Sequence, residues 1–400
     1  MKIAKLDLWV REKEDVTSLT RREIERIQLE KLNQLLRRER ARCGFYKNLP
    51  DKLESLNQLS QLPFTTEEDL KEHGNRMLLL SQSQVDRVRT EETSGTTGLA
   101  KRLFYSEKDN ERTISFFAAG LSELVYPGEK TMICMPFSGY HGLGELIAEA
   151  VIRLGAVPIS AGIGKKYSEL LDILEEQRPE TFIGMPVPLL SLLRLHPKGS
   201  LQRALLSADA CPDAVMAGIE SILKTKLYPH YGSRELGLGG AVTCPAFKGM
   251  HLRENDVIPE IIGKEGQTLP NGEWGELVIT TIQADAMPLI RYRTGDYTRI
   301  LRQKCPCGSE LCRLDRISRI GRKPSMEELD DLFLKFPEVI DYRAAWSPDK
   351  KTLEIDGYLL DKCKALPSEW QGHRICYHWR SVRGTDMPCY AAKRRIMEQR

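Results

Sequence analysis

Thr93-Ser94-Gly95-Thr96-Thr97-Gly98-Leu99-Ala100-Lys101 is the stretch on which the reading of this chain turns. Gly95 and Gly98 bracket two threonines, and Lys101 follows three residues after the second glycine. Glycine permits positive φ and a close approach of backbone to ligand, which a turn wrapped round a phosphate needs. Backbone N–H groups and hydroxyls then donate to phosphate oxygens, and a lysine adds a point charge. The Gly-Lys-Ser/Thr ending of the common P-loop is missing, so this would be a phosphate loop of another kind. The composition alone fits a solvated Ser/Thr/Gly turn equally well. Residues further along the chain decide between the two.

The chain has 400 residues, 41% hydrophobic and 29% charged, with a formal net charge of +3. That length allows a sizeable core, with one large domain and a small one. Near balance of acids and bases removes a general electrostatic case for nucleic acid. No apolar run nears the ~20 residues that span a bilayer. Met1-Lys2-Ile3-Ala4-Lys5-Leu6-Asp7 lacks the apolar core of a signal peptide. A cytoplasmic protein is expected, partnered by neither nucleic acid nor membrane. Ten cysteines at this size are not disulfide-dense. In a reducing compartment the clustered ones point to metal rather than cross-links.

Residues 1–90 read as mostly helical, with Ile24, Ile27, Leu29, Leu32, Leu35 and Leu36 at helical spacing in a strongly charged segment. Leu62-Pro63-Phe64-Thr65-Thr66-Glu67-Glu68-Asp69-Leu70 is a helix start, with hydroxyl caps ahead of acids that suit the macrodipole. Strands then alternate with helices. The strands are Lys130–Met135, Ala156–Ile159, Thr181–Met185, Ala204–Ser207 and Lys226–Tyr231; the helices are Gly142–Leu154, Tyr167–Gln177, Val187–Leu195 and Asp213–Leu223. Such alternation builds a mostly parallel sheet with helices on both faces. From about Val257 the period changes to two, with Asn271-Gly272 as a hairpin-type turn and strands expected at Trp274–Thr280 and Leu289–Tyr292. After Pro324 come a helix at Met326–Phe336, strands at Tyr342–Trp346 and Thr352–Leu359, and a basic tail. The expected fold class is α/β: a large N-terminal domain of mostly parallel sheet flanked by helices, with a β-rich subdomain, and a small C-terminal α+β domain. The expected segments are 1–90, 91–322 and 323–400.

Two further blocks follow the first in order. Tyr231-Gly232-Ser233-Arg234-Glu235-Leu236-Gly237 comes directly after a strand, where an open α/β sheet binds its ligands. Met287-Pro288-Leu289-Ile290-Arg291-Tyr292-Arg293-Thr294-Gly295-Asp296 ends on a carboxylate able to accept two hydrogen bonds from neighbouring hydroxyls. With the first loop and Gly275-Glu276-Leu277-Val278-Ile279-Thr280-Thr281, these blocks resemble the adenylate-forming superfamily, in its phenylacetate–CoA ligase and coenzyme F390 synthetase-like branch. The resemblance runs over roughly residues 20–323 and implies roles. Thr93, Ser94, Gly95, Thr96, Thr97, Gly98 and Lys101 would hold the phosphates of ATP. Tyr231, with Gly232 and Ser233, would be the adenine platform, Glu235 the Mg²⁺ ligand and Asp296 the ribose acceptor. Ala208 and Asp209, in Ser207-Ala208-Asp209-Ala210, would border adenine, although the branch prefers Gly-Ala-Glu-Pro there. Arg234 stands where the family has Thr or Ser.

Cys305-Pro306-Cys307-Gly308 places two thiols on one turn, with Cys244 and His251 upstream and Cys312 beyond. A structural zinc takes four N or S ligands in a closed tetrahedron. Cys244, His251, Cys305 and Cys307 would supply them, with Cys312 as a spare; reduced surface cysteines are the plain alternative. Some phenylacetate–CoA ligase-like proteins are similar in this pattern.

Tyr140 and His141 open a helix after a strand, a position that favours anions and so a carboxylate substrate. A capping turn is the ordinary alternative. Lys393, in Ala392-Lys393-Arg394-Arg395-Ile396, is similar to the C-terminal lysine that neutralises charge between carboxylate and α-phosphate in the family, without its preceding glycine. Arg322 would reach ribose or phosphate. After it, Lys323-Pro324-Ser325-Met326 lacks the acidic hinge of relatives, and proline restricts the backbone. The resemblance implies an AMP-forming ligase that activates an organic acid with ATP and Mg²⁺ and passes the acyl group to CoA. The alternatives are transfer of AMP to a phenolic hydroxyl, which would suit the shortened hinge, and a non-catalytic nucleotide-binding relative. A small carboxylic acid is the expected partner, and a homodimer is open.

Overall fold

The computed structural model describes residues 3–91, 100–320, 325–360, 366–382 and 394–398. Contacts gather the chain into two units, one of Met1–Glu123 with His230–Ile320 and one of Leu124–Pro229 with Gly321–Arg400.

The first unit begins with helices α1 (Lys5–Glu14), α2 (Arg21–Arg42) and α3 (Glu67–Met77), the antiparallel pair β1 (Arg87–Glu91) and β2 (Lys101–Tyr105), and α4 (Glu107–Leu121). Helix starts sit where hydroxyl residues can take over free N–H groups. Thr20 accepts from the Glu23 N–H, and Thr66 with Asp69 and Ser106 with Asp109 form capping boxes. The predicted apolar stripe of α2 is buried at Ile24, Ile27, Leu32, Leu35 and Leu36.

The second unit opens with β3 (Lys130–Cys134), α5 (Leu143–Arg153), β4 (Val157–Ser160), α6 (Tyr167–Gln177), β5 (Thr181–Gly184), α7 (Pro186–Leu195), β6 (Arg203–Leu206), α8 (Asp213–Leu223) and the first half of β7 (Tyr228–Tyr231), whose His230 and Tyr231 belong to the first unit. Its strands run parallel in the order β7-β6-β5-β3-β4. This is the expected alternation, because parallel strands need a crossover helix between them.

Back in the first unit follow β8 (Ala241–Thr243), β9 (Met250–Leu252), β10 (Val257–Ile262), β11 (Gly275–Thr281), β12 (Tyr292–Thr298), β13 (Arg313–Leu314) and β14 (Ser318–Arg319). They form the antiparallel ladders β8-β9-β13 and β10-β11-β12-β14. One expected strand is corrected. Leu289–Tyr292 is not a strand; β12 starts at Tyr292. Pro288 has no N–H to give a ladder, and Arg291 takes a left-handed φ of 52° that extended backbone excludes.

The C-terminal part carries α9 (Met326–Phe333), β15 (Val339–Trp346), β16 (Thr352–Leu359), β17 (Glu369–Trp370), β18 (His373–Ser381) and β19 (Met397–Glu398). Its sheet has the order β17-β18-β16-β15-β19, and β18 runs parallel to β16. Strand β18 went unread in the sequence, although Ile375, Tyr377 and Trp379 alternate at a strand's period and pack on one core. That core is continuous: Leu189, Leu190, Val215 and Ile219 of α7 and α8 lie in the same buried cluster as Leu329, Phe333, Val339, Ile340 and Tyr342.

Candidate nucleotide site and metal centre

Lys101, the first residue of β2, is buried, and its Nζ lies 2.6 Å from Oε1 of Glu235. Both side chains are 9% exposed. Burial alone would raise the Glu235 carboxyl, but the Lys101 ammonium and the hydrogen bond from it carry it below its ordinary range. The Tyr292 hydroxyl donates weakly to the same Glu235 oxygen at 3.4 Å. Next to this pair, the Tyr231 hydroxyl donates to Oδ2 of Asp296 at 2.7 Å, and Nε of Arg319 lies 3.1 Å from Oδ1. Burial and the Asp296 charge push the Tyr231 phenol well above its ordinary range, so it remains a donor at any physiological pH.

The turn after β7 is held from several sides. Tyr105 donates to the Arg234 carbonyl at 2.5 Å, Thr113 to the Gly237 carbonyl at 2.8 Å, and buried Arg253 to the Leu236 carbonyl. Ser233 Oγ accepts from the Leu236 N–H at 3.3 Å. Gly232 is required here, since a Cβ would sit 2.0 Å from the Leu238 carbonyl oxygen. Glu235 is thus aimed by backbone bonds as well as by its ion pair.

Four sequence candidates therefore meet in the first unit: Lys101, Tyr231, Glu235 and Asp296. Ala208, Asp209, Tyr140 and His141 lie in the second. Ala208 has φ 70°, and Oδ1 of Asp209 accepts from the Ala210 N–H at 2.9 Å. Burial pushes the Asp209 carboxyl up to about 6. His141 has φ 53°, its ring stacks on Tyr140 at 3.9 Å between centroids, and Tyr140 is 66% exposed. The helix expected to open at His141 starts two residues later, at Leu143. Thr93, Ser94, Gly95, Thr96, Thr97, Gly98, Arg322, Lys393 and the Lys323-Pro324 hinge segment lie outside the described residues. Sequence reasoning gave no role to Tyr292, Arg319 or Arg253. Tyr292 stood inside a quoted block, but nothing in one dimension reveals that Arg319 reaches Asp296 from an adjacent strand.

The second cluster of chemistry consists of Cys244, His251, Cys305 and Cys307, all buried, with ligand atoms within 4.8 Å of one another. Sγ of Cys244 and Sγ of Cys305 are 3.6 Å apart, and Sγ of Cys307 is 3.4 Å from Nε2 of His251. A tetrahedral zinc with ordinary bond lengths has ligand–ligand edges of about 3.5–3.8 Å, so the donor set fits. Nδ1 of His251 is 3.1 Å from the Leu311 carbonyl, the outer partner that leaves Nε2 as a ligand. Cys312 is elsewhere: its N–H donates to Glu254, and burial beside that carboxylate raises its thiol well above the ordinary range.

A family model described as AMP-binding enzyme matches residues 53–284. The chain belongs to this family. It is 28% identical over 361 residues to the phenylacetate–coenzyme A ligase of Thermus thermophilus, covering 82% of this chain and 79% of that one. Against the enzyme of the same name from Escherichia coli it is 30% identical, covering 69% and 64%. It therefore sits in the phenylacetate–CoA ligase-like branch of the adenylate-forming family. Among solved structures, 2-hydroxyisobutyryl-CoA ligase in its postadenylation state superposes with a TM-score of 0.77 over 96% of this chain and 91% of that one, at 19% identity. That likeness establishes a shared fold.

Proposed function

We propose that this chain, an AMP-forming acid–coenzyme A ligase, acts on a small organic acid, aryl acids foremost, and that the Lys101–Glu235 and Tyr231–Asp296 pairs are its nucleotide site. The carboxylate attacks the α-phosphorus of ATP, pyrophosphate leaves, and the acyl adenylate is then cleaved by the CoA thiol with release of AMP. The observation that carries the reading is the convergence of two buried carboxylates, Glu235 held by buried Lys101 and Asp296 held by the exposed, replaceable Arg319. Asp296 exchanges the exposed Arg319 for ribose hydroxyls, and Tyr231 offers a ring flank to adenine. Glu235 would hold Mg²⁺, which neutralises phosphate charge when bound, and Lys101 would then turn to the phosphate oxygens. The Thr93–Gly98 loop, Arg322 and Ala208–Asp209 complete the nucleotide contacts, Lys393 serves the α-phosphate, and Tyr140 and His141 border the acid. The aryl preference is supported by the names of the curated relatives.

Zinc at Cys244, His251, Cys305 and Cys307 has a structural part. Its four protein ligands would leave no place for a reacting water and would tie the turn before β13 to β8 and β9. A cytoplasmic setting is supported by the thiols, since no disulfide occurs among the described residues, and no described helix is long and apolar enough to cross a membrane.

Pyrophosphate release on a panel of aryl and short-chain acids, with and without CoA, tests the reading. Release with at least one aryl acid, followed by a thioester when CoA is added, is expected. Silence on every acid would sink it, and AMP transfer to a phenol without thioester would favour the hydroxyl acceptor. Purified protein should carry about one zinc by elemental analysis. Cys244→Ser should lose it and Cys312→Ser should keep it; the reverse pattern would redraw the ligand set.

A further inference from the structure

Arg234 directly precedes Glu235, yet the site described so far leaves its side chain without a role. It lies among other cations. Strand β1 pairs antiparallel with β2, with Arg87 opposite Tyr105 and Arg89 opposite Leu103. A strand's period of two puts Arg87 and Arg89 on one face, and directly opposed residues share that face. The Arg89 guanidinium lies over the Tyr105 ring, 4.8 Å from the centroid. The Tyr105 hydroxyl in turn donates to the Arg234 carbonyl at 2.5 Å. One buried tyrosine therefore ties the arginines of β1 to the turn that carries Glu235.

The electrostatics agree with this placement. Burial holds the Arg89 guanidinium below its ordinary range, and the charges of Arg87 and Arg234 lower it further against the pull of Tyr105. Tyr105 is itself acted on by Arg89, Glu235 and Arg234. Three arginines thus gather beside the Lys101–Glu235 pair, and Lys101 opens the second strand of the same hairpin. Like charges on one face repel one another and draw in an anion that carries several charged oxygens. Arginine suits that partner, since its planar fork takes two oxygens at once and never loses its charge.

We propose that Arg234, with Arg87 and Arg89, binds the outer two phosphates of ATP and the pyrophosphate they become. This rests on the reading of Lys101 and Glu235 as the phosphate end of the nucleotide site. As the acid's carboxylate bonds to the α-phosphorus, the bond from that phosphorus to the bridging oxygen breaks. Its electrons go to the departing pyrophosphate, and guanidinium groups aimed there stabilise the charge that grows on it. The acyl adenylate keeps only the α-phosphate, so the three arginines have no part in the CoA step.

Calorimetric titration of the whole protein with pyrophosphate in the presence of Mg²⁺, and separately with AMP, tests it. Arg234→Gln and Arg89→Gln should each weaken pyrophosphate binding roughly tenfold or more, the scale of a hydrogen bond between charged groups, and leave AMP affinity where it was. Exchange of labelled pyrophosphate into ATP should show a raised KM for pyrophosphate, while thioester formation from supplied acyl adenylate and CoA is unaltered. Should Arg234→Gln lose its cooperative melting transition, Arg234→Lys takes its place; it keeps the charge without the fork and should still weaken pyrophosphate binding alone. Unchanged pyrophosphate affinity in the folded variants, or an equal loss for pyrophosphate and AMP, would overturn the proposal. Wild-type protein that binds neither ATP nor pyrophosphate would instead remove the nucleotide-site reading, and this inference with it.

Discussion

Two buried ionic networks in this chain are built from the same parts, yet they are arranged for opposite ends. In the first unit, Glu235 and Asp296 face Lys101, Arg319, Tyr231 and Tyr292; in the second, Asp330 and Asp341 face Arg394, Tyr342 and Tyr167. The Arg319 side chain is 67% exposed, whereas Arg394 and both its aspartates are 5% exposed or less. An exposed cation leaves its carboxylate at small cost, because water takes over its solvation. An enclosed one cannot leave without stranding charge in a medium that does not screen it. At Asp296 the first network is thus open to exchange with a ligand, although its Lys101–Glu235 pair is enclosed, and the second is a clasp throughout. Buried carboxylates alone do not mark a site; what matters is whether the partner can be replaced.

The largest effect should come from breaking the clasp. Asp341→Ala leaves Arg394 half-paired and Tyr167 without its acceptor, and should cost about 3–5 kcal/mol of stability in denaturant titrations. A loss under ~1 kcal/mol there would erase the contrast with the proposed nucleotide site. In the open network, Asp296→Ala should weaken ATP binding by about 1–3 kcal/mol, the scale of hydrogen bonds to a charged group. Unchanged ATP affinity by calorimetry would take Asp296 out of the site.

Glu39 on α2 gives a third case, a fully buried carboxylate on which the neighbouring Arg38 charge acts less than burial does. Burial pushes it up to about 7, and the Tyr46 N–H and the Arg38 charge draw it back only in part. The folded value lies above the unfolded one, so the native state holds the proton more tightly. Stability is therefore fullest below about pH 4.5 for this group and is lost as pH rises through about 7. Glu39→Gln should remove about 1–2 kcal/mol of that decline between pH 5 and 8. A parallel pH profile in wild type and variant would show that Glu39 is solvated after all. Smallest of all, Arg319→Ala should shift stability by less than ~0.5 kcal/mol, as suits an exposed partner. A larger loss would make the open network a clasp as well.

The alternation between Lys130 and Tyr231 was legible because each crossover helix and each parallel strand writes its own period into the sequence. Caps at Thr66 and the zinc-type spacing around Cys305 and Cys307 are local chemistry, readable for the same reason. Strand β18 was overlooked although Ile375, Tyr377 and Trp379 carry its period, since a charged tail masks a short alternation. The strand expected at Leu289–Tyr292 failed because apolar character was mistaken for extended backbone, which Pro288 and the positive φ of Arg291 forbid.

By itself the sequence determined the fold class, the order of the family's motifs and the four Cys and His residues that the fold gathers into one cluster. These depend on periodicity, on backbone freedom at glycine and on ligand type, all properties of residues near one another in the chain. Tertiary structure alone decided that Lys101 meets Glu235 across 134 positions, that Arg319 rather than a neighbour pairs with Asp296, and that Arg394 closes on Asp330 and Asp341. Charge pairing acts through space within a few ångströms and carries no period. Only the folded chain settles which of 59 basic residues finds which of 56 acidic ones.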